Sequence, residues 1–183
     1  MNYVLKNQIM RLRCAIIPSA EKRSKWLKKH HIFYEMGENV HFQPRFYPAD
    51  AKFVKLHNNI AIASNVGFIT HDIMQKVFNN MPGDLTKFQS HLGCIEIMDN
   101  VFIGAGTRIM PDVRIGPNSI IAAGSVVTKD VPPGEVWGGV PAHRIGSFDE
   151  IMEARRMESL EISETRRLRR VEPEWKSFYA KRT

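Results

Sequence analysis

Cysteine is scarce in this chain of 183 residues, which has only Cys14 and Cys94. Two cysteines form no metal-ligand spacing and at most one pair, so the sequence argues against a disulfide framework and against redox chemistry. Long apolar runs are also missing, because charged residues such as Lys6, Arg11 and Arg13 interrupt the N-terminal stretch. That composition excludes a membrane-spanning helix and a clean secretory signal. We therefore expect a cytoplasmic protein with one domain and flanking segments.

The N-terminal segment contains few acidic residues, and it contributes most of the formal net charge of +7. Residues 1–35 contain eight Lys and Arg against two Glu, whereas residues 36–148 contain nine of each sign. The basic run KRSKWLKKHH follows Ser19 and is typical of an N-capped helix with a solvated charged face. Because most of the excess charge lies within residues 1–35, we expect no nucleic acid partner.

Aliphatic residues recur at every sixth position, which is the strongest pattern in the sequence. One run has no exception and comprises Ile97, Ile103, Ile109, Ile115, Ile121 and Val127. The residues four places after these are Val101, Thr107, Val113, Ser119, Ser125 and Val131. An earlier run comprises Met36, Phe42, Val54, Ile60 and Val66, with a miss at Pro48. A period of six fits neither a helix nor a long alternating strand, and it predicts short strands separated by regular corners.

Each hexapeptide is expected to turn one bulky and one small residue inward and to place a turn-forming residue at its corner. Candidates for the corners are Asp99, Asn100, Gly104, Gly116, Pro117, Asn118 and Gly124. One repeat cannot bury its own apolar face, so successive rungs must stack. Each buried Ile or Val would then stabilise the stack by about 1.5–3 kcal/mol.

The two runs are out of phase, since the interval from Val66 to Ile97 exceeds five whole hexapeptides by one position. A long loop, residues 72–92, lies between them, and loops of this length inside a compact domain usually have a function. His71 ends the last regular hexapeptide, VGFITH, at the edge of this loop. An imidazole has a pKa near neutrality, which makes His71 a candidate general base.

The sequence leaves open which group would orient the His71 ring. Asp72 follows directly, but consecutive side chains rarely face one another, so a backbone carbonyl or a more distant carboxylate serves at least as well. His91 closes the loop and is a candidate for lining an acceptor pocket.

The hexapeptides IGAGTR and IGPNSI resemble the motif of the hexapeptide-repeat acyltransferases. The resemblance covers residues 36–146, and the string NVGFITHD resembles the segment that carries the catalytic His of galactoside, maltose and xenobiotic acetyltransferases and of polysaccharide O-acetyltransferases. It implies a mainly β fold, a left-handed parallel β-helix, although parallel crossovers are usually right-handed. The chain would then comprise an N-terminal helical segment (1–35), the β-helix with its protruding loop (36–146) and a C-terminal helical segment (147–183).

The resemblance also implies a reaction. An acetyl group would pass directly from acetyl-CoA to a hydroxyl of a sugar or polysaccharide precursor, with His71 as general base and no metal. Sugars are favoured because the loop DIMQKVFNNMPG resembles that of the polysaccharide-modifying members, while an antibiotic or other xenobiotic stays as an alternative acceptor. A homotrimer with sites between its subunits is implied as well.

A donor site follows partly from spacing. Ala105 and Ala123 hold the third position of hexapeptides three repeats apart, so they should stack on one corner, and Pro141 continues the spacing. Small residues there would leave main-chain groups open to the pantetheine arm of CoA, although alanine also simply fits a tight corner.

Further donor contacts come from the resemblance of GSVVTKDVPPGEVWGGVPA to the segment that contacts CoA in these acetyltransferases. It adds Thr128 and Lys129, whose cation would face a CoA phosphate. The family often has Lys or Arg after its GxPA motif, where this chain has His143, so Arg144 is the candidate at that end.

Two other classes compete with the transferase interpretation. A γ-class carbonic anhydrase shares the β-helix and the trimer, but it needs two His ligands five residues apart, and no two histidines here have that spacing. A non-catalytic β-helix binding module needs only the repeat. Two roles are left open for the basic N-terminal helix. It presents a solvated charged face, or it forms part of a site for a phosphorylated or lipid-linked sugar.

Overall fold

The computed structural model describes residues 3–83, 87–161 and 167–182. The helices are α1 (Tyr3–Ile16), α2 (Ala20–Lys29), α3 (Gln75–Phe78), α4 (Phe148–Glu161) and α5 (Val171–Ala180), with 3₁₀ turns at Ala51–Phe53 and Arg167–Arg170. The strands are β1 (Glu35–Met36), β2 (Val40–Phe42), β3 (Val54–Leu56), β4 (Ile60–Ile62), β5 (Gly67–Phe68), β6 (Ile95–Ile97), β7 (Val101–Ile103), β8 (Arg108–Ile109), β9 (Val113–Ile115), β10 (Ser119–Ile121), β11 (Val126–Val127), β12 (Glu135–Gly139) and β13 (Ala142–Ser147).

The strands form the three faces of a β-helix. The faces are the sheets β1-β3-β6-β9, β2-β4-β7-β10-β12-β13 and β5-β8-β11. Pairing is parallel except between β12 and β13, which form an antiparallel hairpin. Equivalent residues on successive regular coils are three hexapeptides apart, as in the pairs Val101↔Ser119 and Ile95↔Val113. Three hexapeptides therefore make one coil.

Both inward columns are confirmed. The six aliphatic residues from Ile97 to Val127 are fully buried, and Thr107, Ser119 and Ser125 are buried beside them. The buried hydroxyls find acceptors within the coils: Thr107 and Ser125 both donate to the carbonyl of Ala122, at 3.1 and 2.7 Å. These bonds offset the desolvation of the hydroxyls, so small polar residues fit the inward corner positions.

One corner is built by a ladder of asparagines. Asn39, Asn59, Asn100 and Asn118 all adopt left-handed backbone angles, with φ between 54° and 60°. The side chains of the last three form a hydrogen-bonded stack, with Asn59 Nδ2 2.7 Å from Asn100 Oδ1 and Asn100 Nδ2 2.8 Å from Asn118 Oδ1. Asparagine tolerates this conformation better than most residues, which explains its recurrence at the corner.

The irregularities of the repeat are local insertions. Ile60 pairs with Val101, far along the chain, because the loop at 72–92 is inserted into the coil between them. Val40 pairs with Ile60, so the first coil is slightly longer than three hexapeptides. The extra length lies in the segment with the 3₁₀ turn Ala51–Phe53, which accounts for the miss at Pro48.

The N-terminal helix α2 packs on β2 through a buried cation. The side chain of Ser19 caps the helix by accepting from the Lys22 N–H, as predicted. Arg23 is buried and donates to the carbonyls of Ile17, Phe42 and Gln43. Burial also raises the pKa of the nearby Cys14 thiol to about 11. Cys14 is therefore an unreactive core residue. The expectation that both thiols are buried is wrong for Cys94, which is exposed.

Residues 149–183 form a second unit. Within it, Ile151 and Met152 of α4 are exposed, and the rings of Trp175 and Phe178 on α5 lie 5.3 Å apart. Across the ranges described above, no helix combines the length and the apolar character needed to cross a bilayer.

Charges alternate across the outer face of the first sheet, where Glu35, Lys55, Glu96 and Arg114 are successive partners. A hydrogen bond from His57 at 2.9 Å and one from Arg114 at 2.7 Å lower the pKa of the Glu96 carboxyl below its ordinary 4.5. A lowered folded-state pKa stabilises the protein above the unfolded value, and this contribution is lost as the pH falls through the folded value.

We therefore expect Glu96→Gln to lower the melting temperature at pH 7, and the difference from wild type to shrink as the pH falls from 7 toward and through the lowered folded-state pKa of Glu96. Thermal melts across this range, followed by circular dichroism, measure the difference. If the melting temperatures of Glu96→Gln and wild type differed by the same amount at every pH, the lowered pKa of Glu96 would not contribute to stability.

Candidate active site

His71 lies where the chain leaves the coils and the inserted loop begins. Hydrogen bonds join the two ends of this loop. His71 and Leu92 form an isolated antiparallel bridge. The Gly93 N–H donates to the Thr70 carbonyl at 2.8 Å, and the Asp72 N–H donates to the His91 carbonyl at 3.3 Å. The two ends of the loop are thereby joined, while the His71 side chain stays 40% exposed. A rigid backbone with an accessible imidazole suits a group that must reach a substrate.

Asp50 is the partner of the His71 ring. Its Oδ2 atom lies 2.8 Å from His71 Nδ1, although the pair lacks the alignment of a good hydrogen bond. This is the more distant carboxylate that the sequence left open. Asp72 has another role, since its carboxylate accepts from the Met74 N–H at 3.1 Å and so caps the turn into α3. With Nδ1 facing Asp50, the Nε2 atom of His71 is the one left for a substrate.

The loop has its own internal contacts. Asn79 accepts from the Phe88 N–H at 2.8 Å and donates to the Phe88 carbonyl at 2.9 Å, and the Phe78 and Phe88 rings lie 5.3 Å apart. His91 contacts Asp112 Oδ2 at 2.9 Å through its Nε2 atom, with both side chains exposed. This partner holds His91 against the next corner of the coils.

Ala105 and Ala123 stack on one corner, as their spacing predicts. Both are exposed, and the Gly124 N–H donates to the Ala105 carbonyl at 2.8 Å. The rungs approach closely here, since a Cβ on Gly104 would lie 2.4 Å from the Ala123 nitrogen. The expectation that Pro141 continues the stack is wrong. Ile120 pairs with Val136, which is nearer along the chain than three hexapeptides, and Pro141 lies in the turn between β12 and β13.

Lys129 and Arg144 belong to one cluster at the last coil. The Lys129 ammonium lies 5.4 Å from the centre of the Trp137 ring. The indole N–H of Trp137 donates to Glu135 at 2.6 Å, and Glu135 is 3.4 Å from Arg144 Nε. Thr128 precedes Lys129 and is exposed. Among the described residues, no hydrogen bond or ion pair joins this cluster to His71 of the same chain.

Within residues 3–83, 87–161 and 167–182, no group of three His, Cys, Asp or Glu side chains is arranged to hold a metal ion. The donor set at His71 is one imidazole and one carboxylate. Such a pair is suited to proton transfer.

The coils, the inserted loop and the His71–Asp50 pair define a β-helix protein of the hexapeptide type. Residues 95–129 match the family model described as "Bacterial transferase hexapeptide (six repeats)". The chain is 33% identical over 142 residues to a galactoside O-acetyltransferase of Lactococcus lactis, covering 68% of this chain and 67% of that protein. It therefore belongs to the hexapeptide-repeat acyltransferase family.

Two further comparisons support this membership. The galactoside O-acetyltransferase of Escherichia coli is 34% identical over 127 residues, which are 65% of this chain and 59% of that enzyme. The chain thus spans about three fifths of the length of that relative. A solved galactoside acetyltransferase in complex with coenzyme A superposes with a TM-score of 0.59 at 26% identity, covering 82% of each chain. The fold is the left-handed parallel β-helix.

Proposed function

We propose that this protein transfers an acetyl group from acetyl-CoA to a hydroxyl of a sugar, with His71 as general base. The observation that carries the proposal is the half-exposed His71 imidazole held beside Asp50 at the base of the inserted loop. Family membership supports it, because the relatives named above are galactoside O-acetyltransferases. The solved relative bound to coenzyme A supports acetyl-CoA as the donor.

The reaction needs only proton transfer and an activated ester. His71 Nε2 takes the proton of the acceptor hydroxyl as the oxygen attacks the thioester carbonyl. A C–O bond forms, and the oxyanion of the tetrahedral intermediate accepts a hydrogen bond from a main-chain N–H. The C–S bond then breaks. The thiolate of CoA leaves and receives the proton from the His71 imidazolium. Asp50, whose Oδ2 atom is 2.8 Å from Nδ1, stabilises that imidazolium while it exists.

The donor is proposed to lie along the corner of Ala105 and Ala123. The backbone is exposed there, and a pantetheine arm can pair its amides with main-chain groups. Lys129 and Arg144 would face the phosphates from the last coil, with Thr128 next to them. Glu135 neutralises part of the charge of Arg144, so Lys129 is the stronger phosphate partner of the two.

A homotrimer with sites between its subunits fits this arrangement. His71 makes no contact with the donor cluster of its own chain among the described residues, so a neighbouring copy would bring the donor to it. We propose that each site combines His71 and Asp50 of one protomer with the donor corner of the next.

Turnover of acetyl-CoA tests the proposed function. The purified protein is incubated with acetyl-CoA and with galactose, maltose, nucleotide sugars or antibiotics, while release of the CoA thiol is followed. We expect a sugar to accelerate thiol release and to gain one acetyl group by mass spectrometry. Faster acetylation of an antibiotic than of every sugar, or no acceptor-dependent release at all, would contradict the proposal.

Asp50 is expected to position the His71 ring. Asp50→Asn should lower kcat about 10- to 100-fold, as loss of an orienting partner does elsewhere, with little change in the KM for acetyl-CoA. The matched control is Asp72→Asn, which changes the neighbouring carboxylate that accepts from the Met74 N–H. Steady-state kinetics on both variants separate the roles, and an equal loss in the two would argue against a specific role of Asp50.

A further inference from the structure

A cavity rich in arginine lies beside the corner of the coils that carries Ala105. Its volume is about 550 Å³, and its walls come from α1, from residues 44–48, and from corner residues of two successive coils. Arg11, Arg45 and Arg108 line it, and its lining includes no Asp or Glu. Pockets of this size hold small-molecule ligands, and the cavity is wide enough for one sugar ring with a substituent.

The three guanidinium groups keep donors available for a ligand. Arg45 uses Nη1 for the carbonyls of Ala15 and Ile17, at 3.0 and 3.3 Å. Arg108 uses Nη1 for the carbonyl of Asn65 at 2.6 Å and for other carbonyls of the same corner. Among the described residues, the Nε and Nη2 atoms of both have no hydrogen-bond partner. The Nε atom of Arg11 is shielded from solvent and has no partner within the same part of the chain.

The cavity has a positive potential that nothing in its lining neutralises. Within the described ranges, no carboxylate lies within ion-pair distance of Arg11, Arg45 or Arg108. The buried Arg23 adds a fourth cation nearby, and burial first, then the charge of Arg45, lowers its pKa. Guanidinium groups bind planar or tetrahedral oxyanions with paired hydrogen bonds, so this surface is suited to a phosphate or carboxylate.

The same two segments line the cavity and carry the candidate catalytic pair. Pro48 is in the wall, and Asp50 follows shortly after it in the chain. Phe68 is in the wall, and His71 follows three positions later, so their Cα atoms are at most about 11 Å apart. Gly106 is in the wall as well and directly follows Ala105, so an anionic group in the cavity would hold the remainder of its molecule beside the proposed donor corner.

We propose that this cavity binds an anionic substituent of the acceptor, a phosphate or a carboxylate on a sugar. The inference rests on the proposed function for the identity of the acceptor, but the anion site itself does not depend on catalysis. The arginines select the charged acceptor and orient its hydroxyl toward the His71 that the neighbouring protomer brings to the same donor corner.

Calorimetric titration of the wild-type protein without acetyl-CoA tests the site directly. The probes are galactose 6-phosphate, galacturonate and galactose. We expect the charged sugars to bind at least about tenfold more tightly than galactose, and the difference to shrink as salt is added. Tighter binding of only one charged sugar distinguishes phosphate from carboxylate.

The variant Arg11→Gln should weaken binding of the charged sugar about 10- to 100-fold without changing that of galactose. Its matched control is Arg13→Gln, which removes the same charge from the same helix at an exposed position. Gly67→Ala is a second test, because a Cβ there would lie 2.9 Å from Arg108 Cδ and push that side chain aside.

The outcomes separate this inference from the proposed function. Equal binding of charged and neutral sugars, or an equal loss in Arg11→Gln and Arg13→Gln, overturns the anion site even if neutral sugars are acetylated. Selective binding of charged sugars without any acetyl transfer would retain the anion site and overturn the proposed function.

Discussion

His71→Gln should lower kcat for acetyl transfer about 100- to 10,000-fold, the usual contribution of a general base. The KM for acetyl-CoA should stay unchanged, because the proposed donor contacts lie at other residues and the imidazole acts on the acceptor proton in the transition state. The fold should be retained, since His71 and Asp50 are both half-exposed and a contact between such side chains contributes little to stability.

His41→Gln is the control for this substitution. His41 is exposed on β2, makes a side-chain contact with Gln43 at 3.3 Å, and has no part in the proposed mechanism. Thiol-release kinetics on both variants, with thermal melts to verify folding, separate loss of a base from general damage. Turnover by His71→Gln close to that of wild type would remove His71 from the mechanism and leave the protein as a binding module or a transferase with another base.

The period of six was enough to predict the regular coils. Once the rungs stack, only one set of positions in each hexapeptide can face inward, and this set includes Ile103 and Thr107. Both are fully buried in the structure. The loop and the location of His71 followed from the phase error between the two runs. Such local signals survive in the sequence because each rung repeats the same physical constraints.

Contacts between distant rungs were not predictable in the same way. Asp50 precedes His71 by more than three hexapeptides, in a segment that breaks the repeat, so no spacing rule brings the two together. Pro141 fits the spacing of Ala105 and Ala123 in the sequence, but it does not stack on them, because the antiparallel β12–β13 hairpin ends the coil.

The arginine cavity illustrates the same limit. Arg11 belongs to a helix outside the repeat, whereas Arg45 and Arg108 come from different coils that are far apart in the sequence. In the sequence, the basic residues near the N-terminus are typical of a solvated face. Only the packing of α1 against the corners brings these cations together.

Ile115→Ala should reduce the free energy of unfolding by about 2–5 kcal/mol, because it removes buried methyl groups and leaves a cavity. Ile115 is 0% exposed. It pairs with Ile97 on the neighbouring coil and bridges to Val131 on another, so the cavity would weaken two rung contacts. Urea denaturation at a fixed protein concentration measures the loss, since assembly would otherwise shift the apparent stability.

The adjacent residue on β9 provides the control. Arg114 points outward with 63% of its side chain exposed and pairs with Glu96 at 2.7 Å. An exposed ion pair contributes about 0–1 kcal/mol, so Arg114→Ala should cost far less than Ile115→Ala. Equal losses would mean that the coils are not held together chiefly by their inward column. A large loss at Ile115 alone would identify the stacked aliphatic rungs as the support that keeps the base of the loop, and with it His71, in place.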